Sequence, residues 1–198
     1  MARRSEHSQE QIREMVLNAA ETIIIEDGIE ALTVRKIALE IGYTVGSIYM
    51  VFANMQDLVM HVKGRTLEQL AEQMRGNSDS GGLEQQIHAL ADSYLKFAIG
   101  NFNRWRIIFE PGLQDEAGLP DWYRQNIELM FAPIEALIQQ LRPENGEEQA
   151  RLAARTLWCG VHGVCVLSLN GNLGRAGVEN AGAAVRLLVE NFIRGWKQ

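Results

Sequence analysis

Twenty residues near the N-terminus leave this chain little freedom in how it folds. They read VRKIALEIGYTVGSIYMVFA, from Val34 to Ala53. Two helices joined by a turn of about three or four residues need a small side chain where their axes cross. Ala38 stands at that fifth position. They need a residue that tolerates left-handed backbone at the ninth, and Gly42 is there. They need apolar side chains at the fourth, eighth, tenth, fifteenth and eighteenth positions, and Ile37, Ile41, Tyr43, Ile48 and Val51 supply them. Thr33 and Thr44 sit where each helix needs an N-cap. The spacing predicts a helix-turn-helix, with helices over 34–41 and 45–51. The plainer alternative is a helical hairpin inside a bundle.

The rest of the chain also reads as helix. Gln9 to Glu26 carries Ile12, Met15, Val16, Ala19, Ala20, Ile23 and Ile24 on one face, with Ser8 as its cap and Asp27-Gly28 as its stop. Asn54 caps a helix from Gln56 to about Met74, with Leu58, Val59, Val62, Leu67 and Leu70 facing inward. GNSDSGG, residues 76–82, is a turn-forming break. Further helices are expected over 83–100, over a short segment 105–109 ended by Pro111-Gly112, from Pro120 to Leu141, over 147–169 and over 178–196. Pro133 should bend or break the third of these five. No strand pattern and no internal repeat is evident. The fold class is therefore all-α, with a three-helix head and a larger C-terminal bundle, about nine helices in all. The division expected is 1–55 for the head, 56–75 for a connecting helix and 76–198 for the bundle.

Composition removes several function classes. No uninterrupted apolar run reaches the roughly 20 residues of a membrane span. MARRSEHSQEQ has no apolar stretch after its arginines, so no secretory signal is expected. Cys159 and Cys165, six residues apart on one helix, point to different faces and cannot bridge each other. Neither has metal-ligand spacing to a histidine, so no metal is expected, and two unpaired thiols suit a reducing cytoplasm. No Ser/His/Asp set, carboxylate pair or phosphate loop supports catalysis, and no cofactor is expected. The net charge is −6, and residues 1–65 hold seven basic against nine acidic side chains. A nucleic-acid binder is more often basic.

The segment LTVRKIALEIGYTVGSIYMVFANMQDLV resembles the DNA-binding head of the TetR family of bacterial regulators. The shared pattern is Thr33, Ile37-Ala38, Gly42, Thr44, Gly46-Ser47-Ile48-Tyr49, Phe52 and Asp57-Leu58. That family often has a basic residue just before the recognition-helix glycine and a lysine near the start of the fourth helix. Val45 and Met55 stand there instead. The resemblance implies a homodimer that presents two recognition helices to a near-palindromic double-stranded operator. Thr33, Arg35, Lys36, Thr44, Val45, Gly46, Ser47, Tyr49 and Met50 are the expected DNA contacts. With so few cations, helix N-termini and neutral hydroxyls would hold phosphates. Val45 and Met50 would touch bases through apolar contact, as with a thymine methyl, and Gly46 would allow close approach. Arg3 and Arg4 form either a loose arm over a groove or a plain tail.

Eight of the fourteen aromatic residues fall between Tyr94 and Phe131, which suggests walls around a cavity for an apolar or aromatic molecule. Simple core filling is the alternative for each. Trp158, His162 and Cys165 share one side of a helix, and WCGVHGV resembles a Trp-x-x-x-His-Gly signature of one branch of TetR-type C-terminal domains. The expected ligand residues are Tyr94, Phe97, Trp105, Phe109, Trp122, Phe131, Trp158, His162 and Cys165. Small residues at Gly160, Gly163 and 181–184 of the last two long helices permit close helix approach, and the resemblance implies that these two helices pair with their copies. The resemblance thus implies a cytoplasmic, non-enzymatic repressor released from DNA by a small-molecule inducer. The rival readings are a same-fold activator, a ligand-independent DNA-binding protein, and a helical adaptor or enzyme that has lost DNA binding.

Overall fold

The computed structural model describes residues 7–76, 81–110 and 118–198. Arg3, Arg4, the middle of the 76–82 break and Pro111-Gly112 lie outside them. Within the described residues nine α-helices run α1 (Gln9–Asp27), α2 (Val34–Glu40), α3 (Val45–Tyr49), α4 (Met55–Gly76), α5 (Leu83–Gly100), α6 (Phe102–Phe109), α7 (Asp121–Leu141), α8 (Gly146–Leu169) and α9 (Ala181–Trp196). There is no strand among the described residues. The residues group into two compact units. A head unit spans Met1–Thr66 and Asn103–Tyr123, and a bundle unit spans Leu67–Phe102 and Arg124–Gln198.

The head forms because its caps and apolar positions agree. Ser8 accepts from the amide of Gln11, whose side chain returns the bond to the Ser8 amide. This reciprocal capping box starts α1. Ile12, Val16, Ala20, Ile23 and Ile24 are buried, and Leu17 joins them, so the stripe is wider than the sequence pattern indicates; Met15 is only half-buried. Ile37, Ala38 and Ile48 are buried against α1, and Ile41, Tyr43 and Val51 pack on the same core. Gly42 sits at φ +70°, the left-handed conformation its place in the turn requires.

Arg13 of α1 binds the head together. Its guanidinium donates to the Val51 carbonyl at 2.7 Å and to His61 Nε2 of α4 at 2.6 Å. It also lies over the Phe52 ring, 4.3 Å from its centre. His61 in turn stacks on Trp122 with centroids 4.5 Å apart and planes 4° from parallel. Residues 103–110 join the same unit. Ile107 is part of the head core. Asn103 donates to the Ile25 carbonyl at 3.0 Å, Arg106 pairs with Glu30, and the buried Lys63 donates to the Glu110 carbonyl at 2.9 Å.

In the bundle unit α5, α8 and α9 pack on one another. A Cβ on Gly160 of α8 would come within 2.8 Å of Leu188 Cδ2 on α9, so the two helices touch at a point that lacks a side chain. α7 runs through Pro133 without a break. The missing N–H falls on the carbonyl of Leu129, an exposed residue. α9 begins at Ala181, later than the pattern predicts, because Asn180 caps it by accepting from the Ala183 amide at 2.9 Å. α3 ends at Tyr49 and not at Val51. Val51 N bonds back three residues to Ile48, which tightens the last turn. α6 starts three residues earlier than expected, at Phe102.

One span is longer than a count of uninterrupted apolar residues suggests. The helical stretch Pro143–Leu169 is long and apolar enough to cross a membrane by length and composition, and 22% of its most apolar window is buried. A window of this kind tolerates the single charge of Arg155 and the polar His162.

His61 must remain neutral to accept from Arg13. Burial lowers its pKa from the ordinary 6.5, the Arg13 charge adds to this, and Asp57 opposes it. A depressed folded-state pKa leaves stability whole above the unfolded value and erodes it as pH falls below. The melting temperature should therefore hold above about pH 6.5 and drop toward pH 5.5. His61→Gln keeps an acceptor but cannot titrate, and should remove part of that slope. His162, also lowered by burial, retains the rest. Separately, Gly160→Val should cost about 1–3 kcal/mol in urea denaturation through overpacking against Leu188.

Candidate DNA-binding face and effector cleft

The head presents α3 with its caps in place. Thr33 Oγ1 accepts from the Lys36 amide at 3.1 Å, and Thr44 Oγ1 accepts from the Ser47 amide at 3.2 Å. The Thr44 and Ser47 hydroxyls also share a hydrogen bond of 2.9 Å. Gly46, Tyr49 and Met50 are exposed, and Leu39 on α2 is 83% exposed. Val45 is less available than the sequence suggests, since it packs partly on the head core.

Gly46 has no reason to be glycine that the chain itself supplies. Its backbone is not left-handed, and an added Cβ would meet only Thr44 Oγ1, at an ordinary 3.7 Å. Gly42 differs, because its φ demands glycine.

The cations of the head are mostly committed elsewhere. Lys36 pairs with Asp27 at 2.5 Å. Arg65 reaches Glu14 and Asn18. Arg13 and Lys63 hold the carbonyls already described. Among the described residues, Arg35 is the one basic side chain of the first 65 that no protein group engages, and it is exposed.

The expected ligand residues divide between the two units. Trp105, Phe109 and Trp122 belong to the head unit. Trp105 meets Phe109 edge-on at 5.3 Å, and Trp122 stacks on His61. Tyr94, Phe97, Phe131, Trp158, His162 and Cys165 belong to the bundle unit. There a cleft is walled by Met74, Ile87, Leu90, Ala91, Tyr94, Ile134, Leu157, Trp158 and Val161. Its volume is about 30 Å³, room for roughly one or two waters. Of the expected residues, Tyr94 and Trp158 form its wall.

His162 stands beside that wall. It stacks on Trp158 at 4.9 Å and shares a 2.8 Å hydrogen bond with the buried Tyr94 hydroxyl. Burial lowers its pKa. Phe131 meets Trp158 edge-on at 5.3 Å and carries the Arg155 guanidinium over its own ring, 4.7 Å from the centre. Phe97 and Cys165 are core residues. Burial pushes the Cys165 thiol up to about 12, which leaves it unreactive at neutral pH.

Sequence reasoning missed Arg13 and His61. Arg13 lies on the polar side of α1, and its partners are 38 and 48 residues away. The His61–Asp57 spacing of i, i+4 is the one local sign that His61 has an electrostatic role. The cleft residues Met74, Ile87 and Ala91 carry no signal that separates them from ordinary core.

Residues 16–62 match the family described as bacterial regulatory proteins, tetR family, and residues 87–192 match that described as Tetracyclin repressor-like, C-terminal domain. No curated protein sequence matches the chain. Among solved structures, a protein of unknown function from Rhodococcus sp. RHA1 is similar at a TM-score of 0.80 and 18% identity, covering 99% of this chain and 100% of that one. The TetR family transcriptional regulator PfmR from Thermus thermophilus is similar at 0.59 and 15% identity, covering 90% and 97%. The transcriptional regulator FadR from Bacillus subtilis, solved with stearoyl-CoA, is similar at 0.67 and 15% identity, covering 92% and 98%. At such identities these likenesses carry the fold, whereas the two family matches span head and bundle alike. The chain belongs to the TetR family of bacterial regulators.

Proposed function

We propose that this ligand-responsive, DNA-binding transcriptional regulator is a repressor, held on a near-palindromic operator as a homodimer and released by an apolar or aromatic molecule. The observation that carries the DNA side is Gly46. The fold does not need glycine there, so the close approach it permits is to something outside the chain. Thr33, Thr44, Ser47 and Tyr49 are the neutral phosphate contacts in this reading. Arg35 is the charged one. Lys36 is a contact only if it leaves Asp27. Met50 reads a base edge by apolar contact, with Val45 supporting it.

The dimer rests on α8 and α9. Leu152, Leu167 and Leu187 are exposed on them, and so little of the apolar α8 is buried that its face calls for a cover. A second copy covers it symmetrically. By function the chain divides into 1–55 for DNA, 56–75 as connecting helix and 76–198 for ligand and self-association. A regulator of this family works in the cytoplasm, where the thiols of Cys159 and Cys165 stay unpaired. The ligand acts by preferring the state that fits DNA worse, and it shifts affinity only by that preference. The aromatic cluster of the bundle unit is where it acts. The acyl chain of the ligand seen in the FadR structure is one apolar group of that kind.

Gly46→Ala should leave the melting temperature unchanged or raised while weakening operator binding tenfold or more, a loss of about 1.4 kcal/mol, in fluorescence anisotropy with the chain's own upstream DNA. Unaltered binding would remove Gly46 from the interface. The plot of log K against log salt should be shallow, well short of a slope of about −8, because few full charges meet phosphate. Arg35→Ala should make it shallower still, and a slope at or beyond −8 would sink this account of the head. Repression itself is read from a reporter behind that DNA, where adding the regulator should lower expression.

A further inference from the structure

The stretch that carries the recognition helix lacks every side chain that grips a base edge by two bonds. Residues 41–53 hold no Arg, Lys, Asn, Gln, Asp or Glu, and those are the types that pair with guanine, adenine or cytosine in the major groove. Two hydroxyls remain on α3 and its cap, and they are committed to each other. Thr44 Oγ1 accepts from the Ser47 amide at 3.2 Å and shares a 2.9 Å bond with Ser47 Oγ. A lone hydroxyl fits several base edges and separates them poorly. The exposed Tyr49 phenol is a phosphate contact in the reading above, and the disengaged guanidinium, Arg35, belongs to α2. What α3 offers to a groove is carbon. Met50, its C-cap residue, is 66% exposed, Gly46 is exposed and adds no bulk, and Val45 is half-buried.

Resting on the reading of α3 as the helix that meets the bases, we propose that this head reads the C5-methyl groups of pyrimidines, so that it takes thymine and 5-methylcytosine alike and cytosine methylation becomes a second input to operator binding. In the major groove a T·A pair shows a methyl beside the O4 acceptor. The methyl of 5-methylcytosine stands on the same ring carbon, beside an N4 donor. A side chain that recognises by hydrogen bonds tells those two pairs apart. The Met50 side chain gains mainly from the carbon it covers, so the polar neighbour matters little. It is also unbranched and adapts to small shifts of the methyl between the two pairs. Uracil and unmodified cytosine lack that carbon. Covering one methyl is a difference of about fourfold in affinity, and two half-sites multiply it to more than about tenfold.

The test uses the full-length protein and its own upstream DNA, synthesised with thymine or with uracil throughout, and reads affinity by fluorescence anisotropy. The uracil form should bind about tenfold or more weakly. Single thymine-to-uracil replacements then locate the methyls that matter. At those positions a C·G pair should weaken binding, and 5-methylcytosine in place of that cytosine should restore most of the loss. Met50→Ala, at an exposed site, should bind the thymine and uracil forms with nearly equal affinity. Arg35→Ala should weaken both forms by the same factor and keep their ratio. Equal wild-type affinity for the two forms overturns the methyl reading and leaves operator binding standing. A Met50→Ala protein that keeps the full thymine preference overturns it too, as does 5-methylcytosine that binds no better than cytosine. Failure to bind the unmodified DNA at low salt overturns the DNA-binding reading and this proposal together.

Discussion

The guanidinium of Arg13 is the contact on which the head unit depends. One planar group closes the C-terminal end of the recognition-helix turn through the Val51 carbonyl, lies on Phe52, and fixes α4 through His61. No lysine could do this, because a point ammonium cannot bond two acceptors in one plane and stack on a ring as well. The core beneath is apolar and non-directional, so it fixes how tightly α1, α2 and α3 pack more than the angle at which α3 is held. Arg13 supplies direction, and His61 passes that constraint to Trp122 by stacking. The bond holds only while His61 is neutral.

Much of the head was legible in the sequence because its constraints are local. Thr33, Gly42 and Thr44 each act within three or four residues, and the structure shows each in its expected part. The helix-turn-helix frame needed seven residues within a span of eighteen, and Ile37, Ala38 and Ile48 are buried as it requires. The nine helices among the described residues follow from the same short-range signals of caps, glycines and prolines.

The bundle was less legible for the opposite reason. A cluster of aromatics in sequence is not a cluster in space. Trp105 and Trp122 lie within the expected pocket sequence but pack in the head unit, while Ile87, Leu90 and Leu157 look like any core residue and line the cleft. The His162–Tyr94 bond joins residues 68 apart, and no periodicity reports a pairing at that distance. What the sequence did carry was the i, i+4 relation of Trp158 and His162, which the structure shows as a stacked pair.

Gly46 also bears on how such a regulator changes over generations. A helical glycine without a conformational need gives up as much as about 1 kcal/mol relative to alanine. Selection for a sturdier protein alone would reach alanine here by one substitution and meet no resistance from the fold. Only selection on the regulated genes would hold the glycine. With Gly46 in the proposed role, position 46 separates the two pressures: keeping glycine there serves DNA binding, and replacing it leaves the bundle intact for another use.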